Sequence, residues 1–497
     1  MSYKYLGIGE WSIVVNNGRW KPRWFDALII ELLQYALQGR IANLMISLPP
    51  RHGKSTLISQ NFASYFLSHF PRDNIILSSY TQSLASEFGG EVKDIITEYG
   101  KTWSPYGVTV KKDSHAKNKF HVQKPYNGRM LSVGSSGSIV GFGAGLFIID
   151  DPVKAEEIDS LTTQRKLERW FYRTARSRLE QRQCGLPPIM IIIAQRLHVN
   201  DLQGIIKKNE PENIITAKAA LDILRGGGSL PEEKWVDLNL PCICEKPEED
   251  LLGREKGEPL WPKQMDQKKA EAYKQSMGTL MFNTIYQGVP RVGEGQMFKR
   301  RWFYDEHNQL SCIIPERLIP TEYDHLRYYD TATGGPDGDE TSGILTTYDG
   351  SDMYVLHMHN SHYWPNELSN AIITQALEDS EEIEYKRGVP YMMKIEKEGG
   401  SHTGAYINDL QHHDEIIDNE IIIRSDKVQK LGPKRNRATQ LAVMAEFGHI
   451  YFSDAIPYDD IVDTVEQIID FTGEDGKSDD RVDALGGSAR HWKRERE

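Results

Sequence analysis

Two groups of side chains in this sequence have the types and spacing to do chemistry. The first is Pro49-Pro50-Arg51-His52-Gly53-Lys54-Ser55-Thr56, which follows the apolar run Leu44–Leu48 and precedes a helix-forming stretch. A Gly-Lys-Ser triplet at a strand-to-helix turn suits a phosphate group. Backbone N–H groups at the helix N-terminus face the anion, Lys54 reaches the β- and γ-oxygens, and the Ser55 hydroxyl can bind Mg2+. The glycine that opens such a loop in its usual form is replaced here by Leu48. The apolar run Leu146-Phe147-Ile148-Ile149 ends in Asp150-Asp151, which brings carboxylates to the edge where such a sheet supplies a second Mg2+ contact. An ordinary helix cap at Asp151-Pro152 is the competing reading. A third run, Ile189–Ala194, ends in Gln195-Arg196. Arg196 there can lie beside the γ-phosphate and couple hydrolysis to motion, or form a surface salt bridge.

The second group is acidic. Asp330 sits in Tyr328-Tyr329-Asp330-Thr331, where a charge is costly unless it faces a partner or a metal. Glu396 ends the run Met392-Met393-Lys394-Ile395, and Asp479-Asp480-Arg481-Val482-Asp483 opens a final helix. Carboxylates without His or Cys nearby are hard oxygen ligands suited to Mg2+ or Mn2+. Two ions held this way activate a water and stabilise the leaving oxygen in phosphodiester cleavage. Asp480 and Asp483 are spaced i, i+3 and share a face if the helix starts near Asp480; Asp479 and Asp483, i, i+4, are the competing pair. Asp479 then falls at the cap, where its carboxylate accepts backbone N–H groups.

The elements that must position these groups follow from the pattern of apolar residues. The first half alternates the β-rich runs Leu44–Leu48, Ile75–Ser79, Met130–Gly134, Leu146–Asp150 and Ile189–Ala194 with amphipathic stretches at Trp24–Gln38, Leu57–Ser68, Ser83–Tyr99 and Leu161–Gln181. That order predicts an α/β domain with a mostly parallel sheet over residues 1–225. Residues 226–314, dense in Pro, Gly and charge apart from a helical stretch Gln264–Tyr286, read as a linker region with a joint at Pro290–Gly295. Residues 315–497 begin with a three-stranded meander, Arg327–Thr331, Ser342–Tyr348 and Met353–Asn360, with turns at Gly334–Gly338 and Asp349-Gly350. Helices then alternate with the strands Met392–Glu396 and Ile421–Ser425, the order of an RNase H-like domain.

Composition narrows the classes. The chain has 497 residues, 39% hydrophobic and 26% charged, with a formal net charge of −12. Global disorder and a uniformly basic nucleic-acid coat are excluded, while a local basic groove is not. Four cysteines are too few for a disulfide framework. No apolar run is long enough to span a membrane, and the N-terminus lacks the pattern of a secretory signal. The expected setting is a cytoplasm.

In sequence, PPRHGKST, SSYTQSLASEFG, GSIVGFGAGLFIIDDPVK, IMIIIAQRLHVNDLQG, LLGREKGEPLWP, YYDTATGG, IEKEGGSHTG, LGPKRNRA and SDDRVDALGG resemble the large terminase subunit, the DNA-packaging motor of tailed double-stranded DNA phages. The resemblance covers nearly the whole chain. It implies a P-loop ATPase followed by an RNase H-like nuclease that moves viral DNA into a procapsid and cuts concatemers. ATP would be bound by Pro50, Arg51, His52, Gly53, Lys54, Ser55 and Thr56 with Asp150, and Arg51 would be the basic residue beside the phosphates. Asp151 takes the place of a water-polarising glutamate, with Glu156 or Glu157 as alternatives. Ala194-Gln195-Arg196 would couple the site to motion. Asp330, Glu396, Asp480 and Asp483 would hold Mg2+ or Mn2+. Phe142 stands where the family carries a basic residue, so no trans-acting arginine is assigned. Implied partners are duplex DNA, a small terminase subunit, the portal protein, and further copies of the chain on the portal. The implied location is the host cytoplasm, transiently on the procapsid and not in the mature virion. Lys427, Lys430, Lys434, Arg435 and Arg437 are candidates to grip DNA, or form a solvated basic loop. The rival readings are a helicase–nuclease of DNA repair and a capsid or scaffold protein with a degenerate site.

Overall fold

The structure, a computed structural model, describes residues 6–114, 116–135, 137, 139, 141–291, 297–332, 339–397, 401–473 and 479–494. The chain divides into two compact units: Met1–Lys274 with Leu280–Val292, and Gln275–Thr279 with Gly293–Glu497.

The first unit is built on strands β1 (Asn43–Ser47), β2 (Asn74–Ser79), β3 (Lys119–His121), β4 (Arg129–Gly134), β5 (Leu146–Asp150), β6 (Ile189–Ala194), β7 (Ile214–Thr216) and β8 (Trp235–Asn239). They form one sheet in the order β3-β4-β2-β5-β6-β1-β8-β7. Every neighbouring pair is parallel except β3 with β4. The central strands β1, β5 and β6 are buried throughout, because helices cover both faces. Alternation sends Leu44 and Ile46 to one core and Met45 to the other. The decisive feature is β6, inserted between β1 and β5. Ser47 pairs with Ala194 and Asp150 with Ile193. The loop carrying Lys54, the loop carrying Gln195 and the two aspartates therefore leave the sheet at one edge.

The second unit carries β9 (Ile313–Ile314), β10 (His325–Asp330), β11 (Thr341–Tyr348), β12 (Met353–Ser361), β13 (Tyr391–Lys397), β14 (Ile423–Lys427) and β15 (Ile450–Ser453). Its sheet runs β14-β13-β10-β11-β12-β15-β9. β10, β11 and β12 are an antiparallel meander, and β13 and β14 add in parallel on the open side of β10. This is the strand order of an RNase H-like fold. One face packs on the helices Thr439–Glu446, Tyr458–Asp470 and Asp480–Arg494, and the other on Pro365–Ser380.

The stretch 226–314 differs from the linker expected of it. Trp235–Asn239 pairs with β1 along its whole length, and Ile313–Ile314 pairs with β15. A five-residue run amid Pro, Gly and charge shows no sustained period, so only the edge of β1 reveals it as a strand. The helical stretch Gln264–Tyr286 is two helices, Gln267–Met277 and Thr279–Ile285, broken at Gly278, whose φ is +82°. The expected turn at Gly334–Gly338 and most of the joint at Pro290–Gly295 lie outside the described residues. Among the described residues no helix is long and apolar enough to cross a membrane.

Candidate active sites

After β1 the chain turns through Leu48–Gly53, and the helix begins at Lys54. The turn uses two left-handed residues, Arg51 at φ 58° and Gly53 at φ 73°. A Cβ on Gly53 would lie 2.3 Å from Nη1 of Arg23, so both the backbone and the neighbour demand glycine. Arg23 is the support behind the loop. Its guanidinium donates to the His52 carbonyl at 2.6 Å, pairs with the buried Asp26 at 2.6 Å, and lies over the rings of Phe25 and Trp261. His52 packs against the same two rings. Its Nδ1 lies 2.8 Å from the Pro50 carbonyl, which places the proton on Nδ1, and burial pushes its pKa down. The His52 side chain, expected among the ATP-binding groups, is therefore turned into the core and leaves its backbone to the loop. Arg51 is exposed, and Thr56 begins a π-helical turn that runs to Phe62. We expect Arg23→Ala to cost about 3 kcal/mol in urea unfolding, because Asp26 is left buried without its charge partner, and to raise the KM for ATP.

Asp150 is almost wholly buried and accepts a hydrogen bond from Ser59 Oγ at 2.6 Å. Burial, then the charge of Asp151, push its pKa up to about 6, opposed by Ser59, Lys54 and Ser55. A buried carboxylate raised this way, with the Ser55 hydroxyl beside it, has the donor chemistry of a Mg2+ ligand. Asp151, at φ 43°, is held between two elements: its Oδ2 lies 2.7 Å from Lys54 Nζ, and its Oδ1 accepts the Gln195 N–H at 3.0 Å. Loop, ammonium, hydroxyl and two carboxylates thus fit a nucleotide triphosphate with its Mg2+. Glu156 and Glu157 sit exposed on the turn Ala155–Glu157, with Glu157 near Lys154. Asp151→Asn should keep ATP binding and lose turnover, while Glu156→Gln and Glu157→Gln stay near the parent rate. Retained turnover in Asp151→Asn, measured by phosphate release, would reassign the water-polarising role.

Arg196 lies just beyond the end of β6. It is buried, and its Nε lies 2.8 Å from the Asp201 carboxylate, which also accepts from the backbone of Leu197, His198 and Gly204. Its burial rules out the surface salt bridge of the competing reading, and the pair with Asp201 staples the loop after β6 to the next helix.

In the second unit, the β10–β13 register pairs Tyr329 with Ile395, which sets Asp330 beside Glu396 at the sheet edge. Tyr328 and Asp330 point to the same face. The helix Asp480–Arg494 can lie on that face because Gly487 meets the Tyr328 ring, where a Cβ would stand 2.1 Å from the phenol carbon. That contact brings Asp480 and Asp483 to Asp330. Loss of solvent, then the charges of Glu396, Asp483 and Asp480, hold the Asp330 carboxyl well above the usual range. The four expected ligands share one site.

The cluster is not arranged as a finished ion cage. Among the described residues no three His, Cys, Asp or Glu side chains are gathered tightly enough to hold a metal as they stand. Cationic side chains stand among the oxygens instead. Arg437 pairs with Glu396 and lies 3.8 Å from Asp483. Lys434 Nζ lies 2.6 Å from Asp479 and 3.3 Å from Asp483. Burial works against the charge on Lys434, yet Asp479 and Asp483 raise its pKa. Lys434 and Arg437, read as DNA-gripping candidates, are thus taken up inside the acidic site. Lys427 is exposed, and the Lys430 side chain lies outside the described residues. The all-carboxylate donor set fits Mg2+ or Mn2+.

No family model and no curated protein matches the chain. Solved structures are similar to it. The large terminase from a thermophilic bacteriophage is 12% identical, with 93% of this chain and 98% of that chain covered and a TM-score of 0.47. The human cytomegalovirus terminase nuclease domain is 16% identical over 34% of this chain and 83% of that chain, with a TM-score of 0.27. The nuclease domain of the large terminase from bacteriophage SPP1, with bound Mn, is 12% identical over 37% and 94%, with a TM-score of 0.26.

Several participants in these sites were not singled out in the sequence. Asp426 pairs in register with Glu396, takes a 2.7 Å hydrogen bond from Tyr328, and lies 3.4 Å from Arg490. Its run, Arg424-Ser425-Asp426-Lys427, looks solvated in sequence, and only the parallel pairing with β13 turns it to the site. Arg23 had a weak signal in its aromatic neighbours Trp20, Trp24 and Phe25. Asp479 sits at the cap as expected, and its carbonyl accepts the Asp483 N–H at 2.9 Å, but its carboxylate goes to Lys434 rather than to backbone.

Proposed function

We propose that this chain is the large subunit of a terminase, with ATP hydrolysis in the first unit driving duplex DNA into a procapsid and metal-dependent cutting of concatemers in the second. The observation that supports this best is the presence of two candidate sites in one chain. Lys54, Ser55, Asp150 and Asp151 stand at one edge of a mostly parallel sheet, and Asp480 and Asp483 of the final helix lie with Asp330 and Glu396 of two neighbouring strands in an RNase H-ordered sheet.

In the first unit the backbone of Arg51–Ser55 would cradle the phosphates and Lys54 would neutralise their oxygens. Ser55 and Asp150 would hold Mg2+. Lys54 leaves Asp151 as the phosphates take it up, which frees that carboxylate to orient the attacking water. Gln195, bonded to Asp151 through its backbone, carries the change to the loop after β6. In the second unit Asp330, Glu396, Asp480 and Asp483 would hold Mg2+ or Mn2+, with Lys434 and Arg437 released from them. The ions supply Lewis acidity for water activation and for the leaving oxygen.

The partners that go with this reading are duplex DNA, a small terminase subunit, the portal protein of the procapsid, and further copies of the chain on the portal. Its place is the host cytoplasm, transiently on the procapsid. The test is packaging: empty procapsids, linear duplex DNA, Mg2+ and ATP, scored by DNA protected from added nuclease. ATP-dependent protection is the expected result. ATPase and cutting without protection would sink this reading in favour of a helicase–nuclease of repair.

A further inference from the structure

The chain is acidic, yet Leu161–Arg178 contains Arg165, Lys166, Arg169, Arg173, Arg176 and Arg178 against a single acid, Glu168. The helix Leu161–Trp170 and the π-helical turn Phe171–Ala175 continue one another. Gln164, Leu167, Phe171 and Ala175 face inward and are buried. Arg165, Arg169 and Arg173, spaced i, i+4, i+8, and Lys166 beside them are exposed on the opposite side. Arg176 is already paired with Glu210 at 2.6 Å. Among the described residues, the side chains of Arg165, Lys166, Arg169 and Arg173 make no ion pair or hydrogen bond.

We propose that the row Arg165, Arg169, Arg173, with Lys166 flanking it, is a track on the first unit for the phosphate backbone of duplex DNA. This rests on the packaging function proposed above and names the surface that grips. Four residues of helix rise about 6 Å, so the row spans about 12 Å, the axial length of three to four phosphates of one strand at about 3.4 Å each. Arginine forks match phosphate oxygens in pairs. Leu167 and Phe171 are buried and Trp170 and Tyr172 pack half-buried against the core, which leaves Leu161 at the helix start as the one exposed large apolar side chain from Leu161 to Arg178, too little for the apolar centre that a protein partner would need.

The row is also tied to the nucleotide edge of the sheet. Gln164 donates to the Ile158 carbonyl, downstream of Asp151, and accepts from Asn200 Nδ2 at 3.1 Å. Asn200 lies in the loop stapled by Arg196 and Asp201. A grip whose helix is bonded to both loops leaving that edge is placed to respond to the nucleotide.

The test uses the full chain and a labelled duplex of arbitrary sequence, with affinity followed by fluorescence anisotropy across a series of KCl concentrations. The triple variant Arg165→Gln, Arg169→Gln, Arg173→Gln should bind more weakly whatever the sequence, and the slope of log affinity against log salt should flatten by about 2 to 3, near 0.9 per lost phosphate contact. The Arg→Lys triple should keep most of the slope, and ATPase without DNA should be unchanged in both. An unaltered slope in the glutamine triple, with the parent slope steep, overturns the track and leaves the packaging reading standing. Unaltered DNA binding with loss of self-association in sedimentation would assign the row to a second copy and overturn it equally. A parent chain that bound no duplex at any salt concentration would remove the packaging reading, and the track with it.

Discussion

Lys54→Ala should abolish ATP hydrolysis and packaging, with a fall in kcat/KM of at least about a hundredfold, while metal-dependent DNA cutting persists. Lys54 stands at the first turn of the helix after β1, its ammonium 2.7 Å from Asp151. On the proposed reading its removal takes away the charge that would neutralise the β- and γ-oxygens and also releases Asp151, so binding and turnover should both suffer. The acidic cluster belongs to the other compact unit. The measurement is phosphate release beside nicking of a supercoiled plasmid with Mn2+, on the same preparation. Loss of both activities in a folded variant would show that the two sites are not independent, and retained ATPase would remove the nucleotide role of this loop.

Asp330→Asn should give the opposite pattern, with plasmid cutting down by about a hundredfold or more and ATPase retained. A second effect follows from the electrostatics. Burial, then the charges of Glu396, Asp483 and Asp480, raise the pKa of Asp330. Replacing it with a neutral amide removes a group whose charged form is disfavoured there, so without divalent ions the variant should melt at least as high as the parent. The parent should gain thermal stability as Mn2+ is added, because the ions relieve the repulsion among those charges and bind only the folded state. The variant should gain much less. A variant that cuts normally, or that gains as much from Mn2+ as the parent, would take Asp330 out of the metal site.

Much of this is legible in the sequence alone. The strands Leu146–Asp150 and Ile189–Ala194 fall at the residues expected, because a strand buried on both faces must be apolar at every position and stops where polar residues return. The meander and the start of the final helix at Asp480 were readable for similar reasons of alternation and capping. Less was legible where an element depends on a distant partner. Trp235–Asn239 is a strand only because β1 offers it an edge.

The candidate sites divide in the same way. Which residue types could bind phosphate or metal, and that Asp150, Asp330 and Glu396 would fall at strand ends while Lys54 and Asp483 fall in the first turns of helices, is local information. It follows from where apolar runs stop, and the sequence by itself determined it. Which charges meet is long-range information, set by strand order and helix docking. The insertion of β6 between β1 and β5 joins Asp151 to Gln195. The close fit of Gly487 on Tyr328 carries Asp483 to Asp330. Arg196 pairs with Asp201, and Lys434 and Arg437 fold into the acids they were expected to accompany from outside. A charged side chain near a sheet edge takes the nearest opposite charge once solvent is reduced, and only the tertiary structure decided which charge that was.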